Sequence, residues 1–314
     1  MELHEVLRFL RDCHLVSMPC VLVTVCAVEG SSMRGPGTIM GVSRDGSYSG
    51  SFSGGCIENA VVAEALDTLK AGSPRIVRFG AGSPYLDIKL PCGGGLDLHF
   101  QPLGDSALAL DCLDHADRRE PFSIAVDPTG VKRIAGWCRA TYDPATRTGV
   151  FGHWPLPRLQ LIGHGAGLEA LALLARTHGC AVHFLTPDKR IMKQLADRNI
   201  EGRYLHRTDE TDLLASDGWT ASVFLFHDHD WEIDLMARAL EQPHFYIGAM
   251  GGRRAHAFRK DALRAKGVSD EKLATIHAPI GVFHSSRDPH TLALSTLAEV
   301  IRAYQDADFE SALG

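Results

Sequence analysis

The sequence predicts a two-part α/β protein, a mixed α+β first half followed by a parallel sheet covered by helices. Length is the first indication: 314 residues exceed the usual size of one domain, so two hydrophobic cores are expected. The second is a change of grammar at Pro155-Leu156-Pro157, beyond which strand, glycine turn, helix and strand follow in order. The third is composition, since 45% hydrophobic and 22% charged residues suit a soluble globular chain. The expected boundaries are an α+β domain at 1–104, a connector at 105–157 and a parallel-sheet domain at 158–314.

Met1 to Leu10 alternates charged and apolar residues as an amphipathic helix does, without the basic start and apolar core of a signal peptide. No apolar stretch approaches the roughly 18 to 20 residues of a membrane span. A cytoplasmic protein with no membrane partner is therefore expected. The net charge of -6 argues against broad nucleic-acid binding, although Arg253-Arg254 could grip a phosphate locally.

Cys20 to Val28 is short, apolar and β-branched, a buried strand, and the loop Gly30-Ser31-Ser32-Met33-Arg34-Gly35-Pro36-Gly37 ends it. Thr38 to Val42 and Ser47 to Phe52 form a hairpin around Asp45-Gly46. The period then changes: Ile57, Val61, Ala65 and Leu69 share one helix face, with Glu58 in the first turn and Gly72 past the end. Strands are expected at Arg75 to Phe79, Leu96 to Phe100, Phe122 to Val126 and Arg133 to Tyr142, with a helix at Ala107 to Arg118.

Of eight cysteines, none forms a C-x-x-C pair, so free thiols in a reducing compartment are expected. Most suit packing, Cys20, Cys26 and Cys138 within strand patterns. Cys56 in Ser53-Gly54-Gly55-Cys56-Ile57-Glu58 and Cys92 in Leu90-Pro91-Cys92-Gly93-Gly94-Gly95 differ, because glycines leave their backbone open. Cys56 also precedes a helix, whose dipole favours thiolate, the form that ligates metal or accepts sulfur; Glu58, if close, would oppose that shift.

In the second half, Arg158 to Ile162 runs into Gly163-His164-Gly165-Ala166-Gly167, then a helix to His178 and a strand at Cys180 to Leu185. This context is what makes a glycine turn a phosphate-binding candidate, and it marks the domain as Rossmann-like. In a G-x-G-x-x-G register the third glycine is replaced by Leu168, and the strand end Thr186-Pro187-Asp188 lacks a well-placed ribose acid, which weakens NAD binding. Further strands are expected at Val223 to Phe226, His244 to Ile247 and Thr275 to His277, with helices at Glu232 to Leu240, Ala255 to Lys266 and Pro289 to Gln305. His227-Asp228-His229 follows one of these strands and offers ligand contacts, a metal site or a helix cap. Gly251-Gly252-Arg253-Arg254 follows another, either as a phosphate-ester site or as a solvated helix start.

Taken together and in order, Gly30 to Gly37, Gly54-Gly55-Cys56-Ile57-Glu58, Cys92-Gly93-Gly94, Gly163 to Gly167, His227-Asp228-His229, Tyr246 to Gly251, Ala278-Pro279-Ile280-Gly281 and Leu297-Ala298-Glu299 resemble the XdhC/CoxI family of xanthine dehydrogenase accessory proteins. The resemblance extends over nearly the whole chain. It departs at Met33, where family members often carry proline, and at Thr186 to Arg190, where an Asp-x-Arg sequence is usual.

The resemblance implies a chaperone that binds the molybdenum cofactor (molybdopterin), holds it while a terminal sulfido ligand is installed and helps insert it into an apo-enzyme. The implied partners are apo-xanthine dehydrogenase or a related molybdenum hydroxylase, a cysteine desulfurase and a second copy of the chain. For such a cofactor the residues themselves offer Arg34, Gly54, Gly55, Cys56, Glu58, Cys92, Gly163, Gly165, Gly167, His227, Asp228, His229, Gly251 and Arg253 as candidate contacts, with Cys56 the candidate for molybdenum and no catalytic residue expected. The alternatives are an NAD(P)-dependent oxidoreductase using the same glycine turn, and a binding module regulated by a nucleotide.

Overall fold

The computed structural model describes residues 2–30, 34–55, 57–83, 93–104, 107–283 and 286–312. The chain divides into two compact units, Met1–Pro155 and Leu156–Gly314. The first begins with α1 (Glu2–Leu15), β1 (Cys20–Glu29), β2 (Ile39–Ser43), β3 (Tyr48–Ser49), α2 (Glu58–Ala71), β4 (Arg75–Gly80) and β5 (Gly95–Pro102). These strands pair antiparallel in the order β3-β2-β1-β5-β4.

β1 is the central strand and is buried on both faces, which is why its sequence is an apolar run rather than an alternation. Val21, Val23 and Val25 pack with Ile57, Val61 and Ala65 at α2. Cys20, Leu22 and Cys26 pack with Val6, Leu7 and Leu10 of α1.

α3 (Leu108–Asp117), β6 (Phe122–Asp127), β7 (Gly130–Ala135), β8 (Thr141–Asp143) and β9 (Thr148–His153) follow, with a second antiparallel sheet ordered β7-β6-β9-β8. Leu113, Phe122, Ile124 and Phe151 join the cluster of α1 and β1, so this stretch shares the first unit's core. The single strand expected at Arg133 to Tyr142 is two strands, with Gly136 at φ 77° between them. β9 has no apolar alternation to announce it, because Gly152 lies under Trp137, an indole atom of which is 2.4 Å from where a Cβ would stand.

The described cysteines Cys13, Cys20, Cys26, Cys112, Cys138 and Cys180 are all free. Burial pushes the thiols of Cys20, Cys26, Cys112 and Cys180 up to about 12, so they are packing groups rather than nucleophiles. Among the described residues no helix is long and apolar enough to cross a membrane.

The second unit contains β10 (Arg158–Gly163), α4 (Ala166–His178), β11 (Ala181–Thr186), α5 (Lys189–Ala196), β12 (Glu201–Tyr204), β13 (Thr220–Leu225), α6 (Ile233–Ala239), β14 (Tyr246–Ala249), α7 (Arg253–Ala265), α8 (Asp270–Ala274), β15 (Ile276–His277), α9 (Pro289–Asp306) and α10 (Phe309–Ala312). All its strand pairs are parallel, in the order β12-β11-β10-β13-β14-β15. This is the doubly wound Rossmann order, and the order of strands along the sheet reverses between β10 and β13. One face packs Leu161, Val223 and Leu225 against Leu171 and Leu297 of α4 and α9; the other packs Ile162, Phe224 and Ile247 against Leu235 and Leu263 of α6 and α7.

Gly163 closes β10 with φ 152°, and a Cβ there would lie 2.5 Å from the Leu225 carbonyl oxygen. The two central strands can therefore approach only if this residue is glycine. At the sheet's other side, buried Glu299 on α9 accepts hydrogen bonds from Tyr246 Oη at 3.0 Å, His277 Nδ1 at 3.1 Å and the Gly281 amide. It thereby fastens the turn after β15 to α9 and β14.

Two outcomes follow from these contacts. Gly163→Ala should lower unfolding free energy in urea titration by at least about 2 kcal/mol, because strain and a backbone clash coincide; an unchanged midpoint would contradict the close approach. For Glu299, burial raises the pKa but the donors His277, Gly281 and Tyr246 outweigh it, so the carboxyl titrates below its ordinary 4.5. Its stabilisation is present above that ordinary value and fades as pH falls through the lower folded one. Glu299→Gln should thus be less stable than wild type at pH 7, and the gap should narrow below about pH 4.5.

Candidate functional site

Each unit gathers its glycine loops at one end of its sheet. In the first, Glu29 at the end of β1 lies opposite Gly95 at the start of β5, and Gly80 at the end of β4 lies opposite the same glycine. A Cβ on Gly30 would stand 3.3 Å from Gly94 Cα, so the loops entered at Gly30 and left at Gly94 nearly touch. Arg78 binds this end together, with Nε donating to the Ala81 carbonyl at 2.6 Å, Nη1 to Asp97 at 3.2 Å and Nη2 to Glu29.

The loop from Gly50 to Ile57 joins the same cluster through Arg34, whose Nε donates to the Ser51 carbonyl at 2.9 Å. Arg34 also pairs with Glu2 at 2.8 Å, and Glu2 accepts the Ser51 amide at 2.8 Å. Arg34 is therefore joined to α1 and to the glycine loop at once. Gly54 and Gly55 have φ of 73° and 117°, conformations in which a side chain would be strained.

Glu58, the first residue of α2, turns its carboxylate back into this loop. It accepts from the amides of Phe52, Ser53, Gly54, Gly55 and Ile57 and from the hydroxyls of Ser51 and Ser53, at 2.8 to 3.2 Å. Burial would raise its pKa, but these donors hold it down at about 2. Cys56 and Cys92, the expected thiols, lie outside the described residues. Their neighbours Gly55, Ile57 and Gly93 are described.

In the second unit the carboxyl ends of the strands carry the remaining candidates. Gly163, Gly165 and Gly167 form the turn from β10 into α4, and no side chain caps that helix at Gly165. Gly167 faces α9, where a Cβ would meet Leu292 at 3.3 Å. Across the reversal point, His227 and Asp228 are exposed after β13. The His164 and His227 rings lie 5.8 Å apart, which brings the β10 and β13 loops to one place. Asp228 Oδ1 accepts the Asp230 amide at 3.1 Å and caps the short 3-10 turn that begins at His229.

Gly251 (φ 115°) and Gly252 lead from β14 into α7, whose first turn has no acidic residue and no side-chain cap, while Arg253 and Arg254 are exposed. Beneath these loops Arg259 and Glu232, both fully buried, pair at 2.9 Å, and Arg259 Nη2 donates to the Met250 carbonyl at 2.8 Å. By contrast, the β11 end offers no open acid to a ribose. Thr186 is buried, and Asp188 caps α5 by accepting the Arg190 and Ile191 amides. Among the described residues no group of three or more metal-ligating side chains converges.

Several organising residues escape the sequence pattern. Glu2 and Ser51 look like an ordinary first-turn acid and a loop serine. His164 could have been noticed as the side chain between the two turn glycines. Arg259 shares the buried face of α7 with Leu263, four residues on, a spacing that places a charge where an apolar residue is usual.

Residues 159–300 match the XdhC Rossmann domain, and residues 17–80 match the XdhC and CoxI family. The chain is 35% identical over 311 residues to the molybdenum cofactor insertion chaperone PaoD of Escherichia coli strain K12, covering 96% of this chain and 90% of that protein. It is 24% identical over 298 residues to the uncharacterized protein YqeB of the same organism, covering 92% of this chain and 44% of YqeB. A crystal structure described as a xanthine dehydrogenase from Bacillus halodurans shares the fold, with a TM-score of 0.78 at 18% identity over 98% of this chain and 99% of that one. The chain thus belongs to the XdhC and CoxI family.

Proposed function

We propose that this protein is a molybdenum-cofactor chaperone, which binds the cofactor and delivers it to an apo-molybdenum enzyme. The supporting observation is its 35% identity to PaoD across 96% of the chain. The finer reading is that the client is xanthine dehydrogenase or a related molybdenum hydroxylase, that a cysteine desulfurase supplies sulfur while the cofactor is held, and that the working form is a cytoplasmic homodimer.

When bound, the cofactor supplies a terminal phosphate, a polar pterin and a soft dithiolene-held molybdenum. The residues present suit such a group. Helices α5 and α9 are capped by their own Asp188 and Asp288, whereas α4 and α7 start without a side-chain cap. Gly163, Gly165 and Gly167 can therefore present amides to a phosphate, and Gly251 and Arg253 can do the same with a guanidinium added. His227, Asp228 and His229 are the candidates for the pterin's polar edge. In the first unit, taken by itself, Gly54, Gly55 and Cys56 are candidates for contacting a soft metal or sulfur, with Cys92 as a second thiol. The capped, acid-poor end of β11 disfavours the NAD(P) oxidoreductase reading.

Titration of the purified protein should give retention of molybdopterin cofactor but not of NAD(H), NADP(H) or AMP; tight dinucleotide binding with turnover would favour the oxidoreductase instead. Arg253→Ala with Arg254→Ala should weaken cofactor retention by about tenfold or more while leaving thermal stability unchanged. Cys56→Ala should weaken retention more than Cys20→Ala at matched stability, and equal retention in the two would remove Cys56 from the site.

A further inference from the structure

A glycine loop that runs into a helix makes a concave set of amides, the kind of nest that takes a phosphate or carboxylate from solution. The nest ahead of α2 has this form, but it is filled from inside the chain. Glu58 Oε1 accepts from Phe52 at 3.0 Å, Ser53 at 2.8 Å and Gly54 at 3.1 Å, and Oε2 from Gly55 at 2.8 Å and Ile57 at 3.2 Å. The Ser51 and Ser53 hydroxyls add one bond to each oxygen. We infer that Glu58 is the built-in anion of this loop, a positioning residue that sets the shape of Phe52 to Gly55 and fixes the Ile57 amide, and that excludes an external phosphate from them.

Capacity supports this. A carboxylate offers about four lone-pair directions, and seven donors already converge on Glu58. A second anion would find those amides turned toward Glu58 and a buried negative charge, 3% exposed, in its place. The positive end of α2 is compensated by the same group, so it offers little further attraction to phosphate.

The shape set by Glu58 also reaches the neighbouring loop. Ser51 donates its hydroxyl to Glu58 and its amide to Glu2, and its carbonyl accepts from Arg34, so the nest and the loop that starts at Gly30 are joined through one residue. Glu58 and Arg34 thus act on a bound group through the backbone they hold, and phosphate recognition falls to other loops. The functional arm of this inference rests on the cofactor-chaperone reading; the structural arm does not.

The test follows backbone amide signals of the full-length protein by NMR. In wild type, inorganic phosphate or acetate should leave the Phe52 to Gly55 and Ile57 amides unmoved. In Glu58→Ala those amides should exchange with solvent about a hundredfold faster, since each loses a bond to a charged acceptor. Added acetate should restore their protection saturably, and cofactor retention should fall roughly tenfold or more and recover with the same acetate dependence. Glu58→Asp should restore part of both without acetate. Phosphate-dependent shifts of these amides in wild type, or unchanged protection in Glu58→Ala, would overturn the inference. If Glu58→Ala does not fold, the wild-type titration still decides. If wild type itself retains no cofactor, the chaperone reading fails while the amide measurements continue to test the built-in anion.

Discussion

In each unit the loops gathered at one end of the sheet are rich in glycine, and a glycine loop has no side chains with which to hold its own shape. Ordering one residue costs about 1 to 2 kcal/mol of conformational entropy, and glycine is the most expensive case. In the loop that leads into α2, much of that cost is offset by one buried carboxylate. Glu58 accepts five amides and two hydroxyls, and hydrogen bonds to a charged group contribute about 1.5 to 3 kcal/mol each. Burial of the charge opposes this, yet seven donors on one carboxylate outweigh desolvation and hold its pKa down at about 2.

The same device recurs in the second unit. Glu299 gathers Tyr246, His277 and the Gly281 amide, and Glu232 holds Arg259, which in turn holds the Met250 carbonyl ahead of Gly251. A lone buried ion pair is weak evidence for stability, since desolvation can cancel the attraction. Its effect here is geometric: it fixes where β14 hands over to α7. With the strand order reversing beside Gly163, the uncapped starts of α4 and α7 both belong to the carboxyl edge of one sheet, where open α/β folds take their ligands.

Much of this was legible in the sequence. The strand–turn–helix grammar after Pro157, the helix from Glu58 and the buried run at Cys20 to Val28 each had a distinct period, and each is found. β9 and β12 were not legible, because Gly152 and Gly202 stand where the rings of Trp137 and Phe184 fill the space, so no alternation remains. Arg133 to Tyr142 reads as one strand because Gly136, at φ 77°, is the one residue whose type hints at the break that runs on to Ala140. At the sites, the glycines could be located but the direction of a carboxylate could not. Glu58 beside Gly54 and Gly55 suits a ligand contact equally well until its hydrogen bonds are known, and Ser51, which links three partners, carries no signal.

If this chain holds molybdenum cofactor in order to pass it on, as proposed, the loaded protein must activate an apo-enzyme. The direct measurement is transfer: protein loaded anaerobically with the cofactor is mixed with a purified apo-molybdenum hydroxylase, and hydroxylase activity is followed with time. Activity should appear faster than with the same amount of free cofactor and should rise with the loaded protein until the apo-enzyme is filled. Activation no faster than by free cofactor, from a protein shown to carry a full load, would contradict it.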